Sequence, residues 1–111
     1  MATVTAKNLV TSKFIENSQT TQYTAQNGKA LIDKCTITNV TASAAKFSIN
    51  LVLTGSAGTS NLIIKDQSVA AGNVYLCPEV VGHVIESGGS ISTVSDTTDA
   101  LVLRISGREV V

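Results

Sequence analysis

The feature that most constrains this chain is an alternation of period two. In residues 45–54, Phe47, Ile49, Leu51 and Leu53 alternate with Lys46, Ser48, Asn50 and Val52. Successive side chains of a strand point to opposite faces. This segment therefore sets one apolar side against a core and turns the other to solvent or a partner. Residues 30–40 read the same way. Leu31, Cys35 and Ile37 share the core side, Asp33 breaks it, and Ile32, Lys34, Thr36 and Thr38 take the other face. In residues 100–106, Leu101, Leu103 and Ile105 face in while Val102 and Arg104 face out.

Turn residues separate these runs. Asn27-Gly28, the loop 55–60, the turn 70–73, Pro78 and Gly88-Gly89 recur roughly every ten residues. Short strands fit between them at 19–24, 61–65, 74–77 and 90–93, and residues 80–85 are apolar but interrupted by Gly82. The linker 41–44 is short enough for a hairpin. Thr, Val and Ile make up about a third of the chain, and β-branched residues favour strands. Seven or eight short strands at this spacing predict an all-β antiparallel β-sandwich or barrel. The 111 residues fit one domain. Residues 1–18 lack the alternation and read as an N-terminal extended arm, with 19–111 as the β-sandwich domain.

Charge removes several function classes. Lys plus Arg and Asp plus Glu are 8 each, so the net charge is zero. A protein that neutralises phosphates carries a basic excess, so no nucleic-acid partner is expected. No apolar run approaches bilayer length and no signal-peptide pattern opens the chain, so no membrane is expected and synthesis in the cytosol is. Cys35 and Cys77 permit a disulfide, but in a cytosolic chain they read as buried thiols.

No catalytic or metal constellation emerges. His83 is the single histidine and reads as a turn residue. With Cys35 and Cys77 it has neither blue-copper nor zinc spacing. Gly55 to Gly58 and Gly88-Gly89 lack the Lys-Ser/Thr of a phosphate loop. Asp96 and Asp99 lack the glycine and terminal glutamate of a calcium loop. Asn39-Val40-Thr41 matches a glycosylation triplet. Tyr23 and Tyr75 are the aromatic rings left for a sugar platform. The reading is non-enzymatic, with no cofactor and no metal. The outward strand positions are Thr, Ser, Asn and Val, nearly without charge. Exposed strands normally carry charge against edge pairing, so such a surface suits a chain covered by others.

The order of motifs carries a resemblance. Residues 23–39 read Tyr-Thr-Ala-Gln-Asn-Gly-Lys-Ala-Leu-Ile-Asp-Lys-Cys-Thr-Ile-Thr-Asn, and an alternating strand ends in Leu51-Val-Leu-Thr-Gly55. Then follow Val69-Ala-Ala-Gly-Asn-Val-Tyr-Leu-Cys-Pro78, residues 82–92 and residues 100–109. Over about residues 20 to 109, this resembles the capsid decoration (cement or staple) proteins of short-tailed Salmonella-type double-stranded DNA phages. The resemblance implies a jelly-roll β-sandwich, the alternative being an immunoglobulin-like one. It implies a chain made in the host bacterial cytoplasm and placed on the outer capsid surface of the virion. There it would bind the expanded shell as a homodimer at symmetry axes and staple neighbouring major capsid protein subunits against DNA pressure. On this reading residues 2–14 reach to a neighbour by strand addition, with Thr3, Val4, Lys7, Leu9, Val10 and Phe14 in contact. Removing residues 2–13 would then cost capsid retention but not folding. The rival readings are a carbohydrate-binding or adhesin module on the virion and another phage tail or neck protein.

Overall fold

The computed structural model describes residues 2–111. Its strands are β1 (Val4–Phe14), β2 (Thr20–Thr24), β3 (Lys29–Asn39), β4 (Ala45–Val52), β5 (Leu62–Val69), β6 (Val74–Tyr75), β7 (Val84–Ile85), β8 (Ser90–Ser95) and β9 (Leu101–Val110). Among the described residues one 3-10 turn spans Thr59–Asn61. One sheet has the order β1-β9-β3-β6, with β7 pairing β3 further along; the other has the order β2-β8-β4-β5.

The short β6 and β7 are two halves of one interrupted edge strand. Counted so, the chain is a single antiparallel ribbon with partners β1–β9, β2–β8, β3–β6/β7 and β4–β5. Rolling that ribbon brings β9 beside β3 and β8 beside β4. This is the jelly-roll form of the sandwich and not the immunoglobulin-like arrangement.

The alternating segments face as their pattern predicts. Phe47 and Ile49 of β4 and Leu101, Leu103 and Ile105 of β9 are buried between the sheets. On β8, Ile91 and Thr93 sit opposite Leu51 and Ile49 and complete that layer. The β4 alternation stops at Val52, so Leu53, expected inside, stands exposed beyond the strand end.

Residues 4–14 are not a free arm. They form the edge strand β1, paired along its length with β9 from Val4↔Val110 to Phe14↔Val102. Register shifts between Asn8 and Val10 and between Val10 and Lys13 insert extra residues. Such bulges destroy a period-two pattern while keeping the strand. Asp33 has a related explanation. The β3–β9 register shifts between Ile32 and Lys34, so Asp33 is a bulge residue. Ala30 and Ile32 therefore join Cys35 and Ile37 in the core, Leu31 is half-buried, and Asp33 turns out. There the Arg108 guanidinium donates two hydrogen bonds to it, both 2.9 Å.

The linker 41–44 crosses between sheets and forms no hairpin, since β3 and β4 lie in different ones. Asn39 governs this crossing. Its buried amide donates to the carbonyls of Ser43 (2.8 Å) and Val69 (2.9 Å). Its Oδ1 accepts from the Thr41 backbone N–H (2.9 Å) and hydroxyl (2.7 Å). A glycosylation triplet built on this side chain leaves no amide for a sugar in the folded chain. Asn39→Ala strands the Val69 carbonyl and the Thr41 N–H, while the Thr41 hydroxyl still bonds the Ser43 carbonyl at 2.9 Å, and should cost about 2–3 kcal/mol. Urea unfolding checks this; a loss below about 1 kcal/mol would show that water replaces the amide.

Candidate interaction surface

The candidate surface begins at β1. The structure places Thr3, Val4 and Lys7 together at one end of this strand. The Thr3 N–H donates to the Val111 carbonyl at 2.6 Å, and the Val111 N–H donates back at 3.0 Å. Val4 is exposed, and Lys7 Nζ lies 3.4 Å from Glu109 Oε1. Phe14, also exposed, marks the far end. Leu9 and Val10 belong to another group altogether. They are 7% and 4% exposed and pack in the core, so they are unavailable to a partner. The bulge between Asn8 and Val10 is what turns both inward. One side of β1 pairs with β9; its other side has no strand beside it among the described residues.

The opposite edge of the same sheet was missed in the sequence. Val74, Leu76, Val81 and Val84 are all exposed in the segment that runs from β6 to β7 along β3. Leu53 joins them across a shallow cleft it lines with Leu51, Val84 and Ile85. Pairings Thr38↔Val74 and Leu31↔Val84 stretch this edge from Leu31 to Thr38 of β3, about 23 Å. The sequence reads only as a short strand at 74–77 and an apolar run at 80–85, and the one available signal of exposure was the Pro78 and Gly82 that break the strand. An interrupted strand buries its apolar residues incompletely.

The uncharged outer face of the second sheet has a different cover from the one expected. Ser48, Asn50 and Ser92 point away from the core yet are buried. The Asn50 amide donates to the Gly58 carbonyl (2.8 Å) and to Asn61 Oδ1 (2.7 Å), so the chain's own loop folds over it. The Gln19 amide donates to Ser92 Oγ at 2.7 Å. A mixed cleft of about 230 Å³ remains beneath the loop, lined by Gln19, Ser48, Asn50 and Thr59 together with Leu62 and Val94, and by no aromatic ring.

Both tyrosines are committed. Tyr75 packs on Phe47 with ring centroids 5.9 Å apart and donates to Glu79 at 2.6 Å. Tyr23 is half-buried and donates to Glu109 in a cleft of about 320 Å³ that Lys7 and Lys29 also line. Neither offers a bare ring face like that of a sugar platform. His83 is exposed, and its carbonyl accepts from the Ile32 N–H at 3.1 Å. Asp96 Oδ1 accepts from the Lys46 N–H at 2.9 Å. Among the described residues no three His, Cys, Asp or Glu side chains are gathered to hold a metal.

These hydrogen bonds set the pH range of the fold. The Tyr23 hydroxyl and Lys7 hold the Glu109 carboxyl below its ordinary range. Lys13 and Gln22 do the same for Glu16. Burial and Glu109 push the Tyr23 phenol up; the bond to Glu79 and burial raise Tyr75 to about 12. A lowered carboxyl stabilises above its unfolded pKa of about 4.3, and the benefit is lost as pH falls through the folded value. A raised phenol stabilises below about pH 10 and loses this as pH rises through the folded value. The melting temperature should therefore be flat from about pH 5 to 8 and fall on both sides, the alkaline fall starting with the Cys77 thiol, which the folded core also holds protonated. Thermal scans of wild type and Glu109→Gln test this. An acid limb identical in the two would assign it to other carboxylates.

No family model matches the sequence, and no curated protein matches it. Among solved structures the chain is similar to one in the structure of infectious bursal disease virus, Gx strain. Identity is 15% and the TM-score is 0.52, over 99% of this chain and 32% of that one. The chain thus spans less than half of that neighbour, and the likeness is one of fold.

Proposed function

We propose that this chain is a non-enzymatic structural protein of a phage virion that binds the outside of the expanded capsid and staples neighbouring major capsid subunits. The observation that carries the reading is the jelly roll, aligned over 99% of the chain with a segment of a virus chain. The surface supports it. A staple needs two contact surfaces held at a fixed spacing. The first sheet has two open edges, β1 and the apolar 74–85 segment, separated by three strand spacings or about 14 Å. The sandwich is 49 Å long and 19 Å thick, a shape suited to lying across a seam. Each contact is small, and many copies on one shell act together.

The contact residues are revised accordingly. Thr3, Val4, Lys7 and Phe14 remain on the β1 edge, whose free side offers backbone groups for strand addition by a capsid segment or a second copy. Val74, Leu76, Val81, Val84 and Leu53 form the second contact. Co-sedimentation with expanded phage heads lacking the protein tests the reading, with unexpanded shells as control. Saturable binding to expanded heads alone, at hundreds of copies, is the expected result. No binding to either shell would overturn it. A glycan array would then test the adhesin reading, and copy number per virion a tail or neck role.

A further inference from the structure

Cys35 and Cys77 are both free and both 0% exposed. They lie 42 positions apart in sequence yet meet in the core. The β3–β6 register pairs Thr38 with Val74 and Ile37 with Tyr75, and its continuation sets Cys35 opposite Cys77. Opposed residues of an antiparallel pair have Cα atoms about 4.5–5.5 Å apart, within the span a disulfide bridges. At position 77 the backbone leaves the strand with φ 48, and the thiol points inward. It is within 3.8 Å of the Tyr75 carbonyl.

We propose that Cys35 and Cys77 form an intramolecular disulfide under oxidation, latching the exposed apolar 74–85 edge to β3. A low-molecular-weight disulfide is the oxidant. One cysteine thiolate attacks it, forming a mixed disulfide and expelling one reagent thiol. The second cysteine thiolate then attacks the protein sulfur, forming the Cys35–Cys77 bond and expelling the other. The two protein thiols lose two protons and two electrons; the reagent gains them as two thiols.

The closed fold holds this reaction back. The neighbouring Cys35 thiol and burial push the Cys77 thiol well above its ordinary pKa, and thiolate is the reactive form. Oxidation therefore goes through opening of the 74–85 segment. Few ladder bonds hold that segment, since β6 and β7 are two residues each, and opening it means lifting Val80 and Ile85 from the core and releasing Gly82 and His83 from Ile32. The reduced chain carries a pliable edge and the oxidised chain a fixed one, whatever partner that edge meets.

The test is incubation of the full chain with oxidised glutathione at pH 8, without and with sub-denaturing urea. Intact mass, thiol titration after denaturation, and non-reducing peptide mapping are the readouts. The expected product is a monomer lighter by two hydrogen atoms, with peptides containing Cys35 and Cys77 linked. It should form faster in urea and revert with dithiothreitol. Its melting temperature should rise by about 10 °C. Cys77→Ala should give no internal link. Stable glutathione adducts, intermolecular dimers, or two free thiols persisting through urea treatment would each overturn the proposal.

Discussion

Gly107→Ala should lower the melting temperature by about 15 °C or more. Gly107 sits in β9 between β1 and β3, opposite both Lys7 and Ile32. A Cβ at this position would lie 2.0 Å from the Leu31 carbonyl oxygen and 3.1 Å from Leu9 Cδ1. The oxygen belongs to backbone locked in a ladder, so no rotamer change relieves the clash. The β3 bulge at Asp33 and the β1 bulge near Leu9 flank the same point of β9, which is why the strands close in there. Relief means spreading the sheet, at about 3–4 kcal/mol. Gly58→Ala is the matched control. Gly58 has φ −160, which any residue adopts, and nothing within 4 Å of its added Cβ. Thermal unfolding by circular dichroism compares the two. A Gly107→Ala shift within about 3 °C of wild type would mean that the sheet yields there at little cost.

Deleting residues 2–14 should abolish folding, the reverse of what an arm would do. The deletion removes the whole β1–β9 pairing and takes two core side chains, Leu9 and Val10. It also leaves Ile15, which is fully buried, at a frayed end. Each lost core residue is worth about 2–5 kcal/mol, against a total of about 5–15 kcal/mol for a domain. The truncated chain should be insoluble, or soluble without a cooperative melt. Val4→Ser with Phe14→Ser is the complementary variant. Both side chains are exposed, so the melting temperature should stay within a few degrees while retention on heads falls. A truncated chain that melts like wild type would restore the arm.

The layers of this fold were legible where strands are regular. Phe47 and Ile49, and Leu101, Leu103 and Ile105, alternate without interruption, and each landed in the core. Legibility failed at bulges. One inserted residue inverts every later side chain, so Leu31 and Ile32 exchanged roles around Asp33. In β1 two insertions within six residues left Leu9-Val10 without a period, and a core strand read as an arm. Sheet membership was illegible for another reason. A four-residue linker serves a hairpin or a crossing equally well, and only the Asn39 hydrogen bonds decide between them. The candidate surface was half legible. Thr3, Val4, Lys7 and Phe14 lie on an open edge, whereas Val74, Leu76, Val81 and Val84 have the composition of buried strands and carry no mark of exposure.

The paired backbones of Thr3 and Val111 have a consequence for connectivity. They bring together the two segments of the ribbon farthest apart along the chain, so the β1–β9 ladder closes the longest loop in the molecule. That closure carries the largest entropic cost of any pairing here. A short linker between those two residues would turn the ladder into an ordinary hairpin. New ends could open in the loop between β4 and β5, where Gly55 and Gly58 have empty space around them. Such a circular permutant would keep the wound sandwich while reversing the order of local and distant pairings, making β1–β9 the first contact to form and β4–β5 the last.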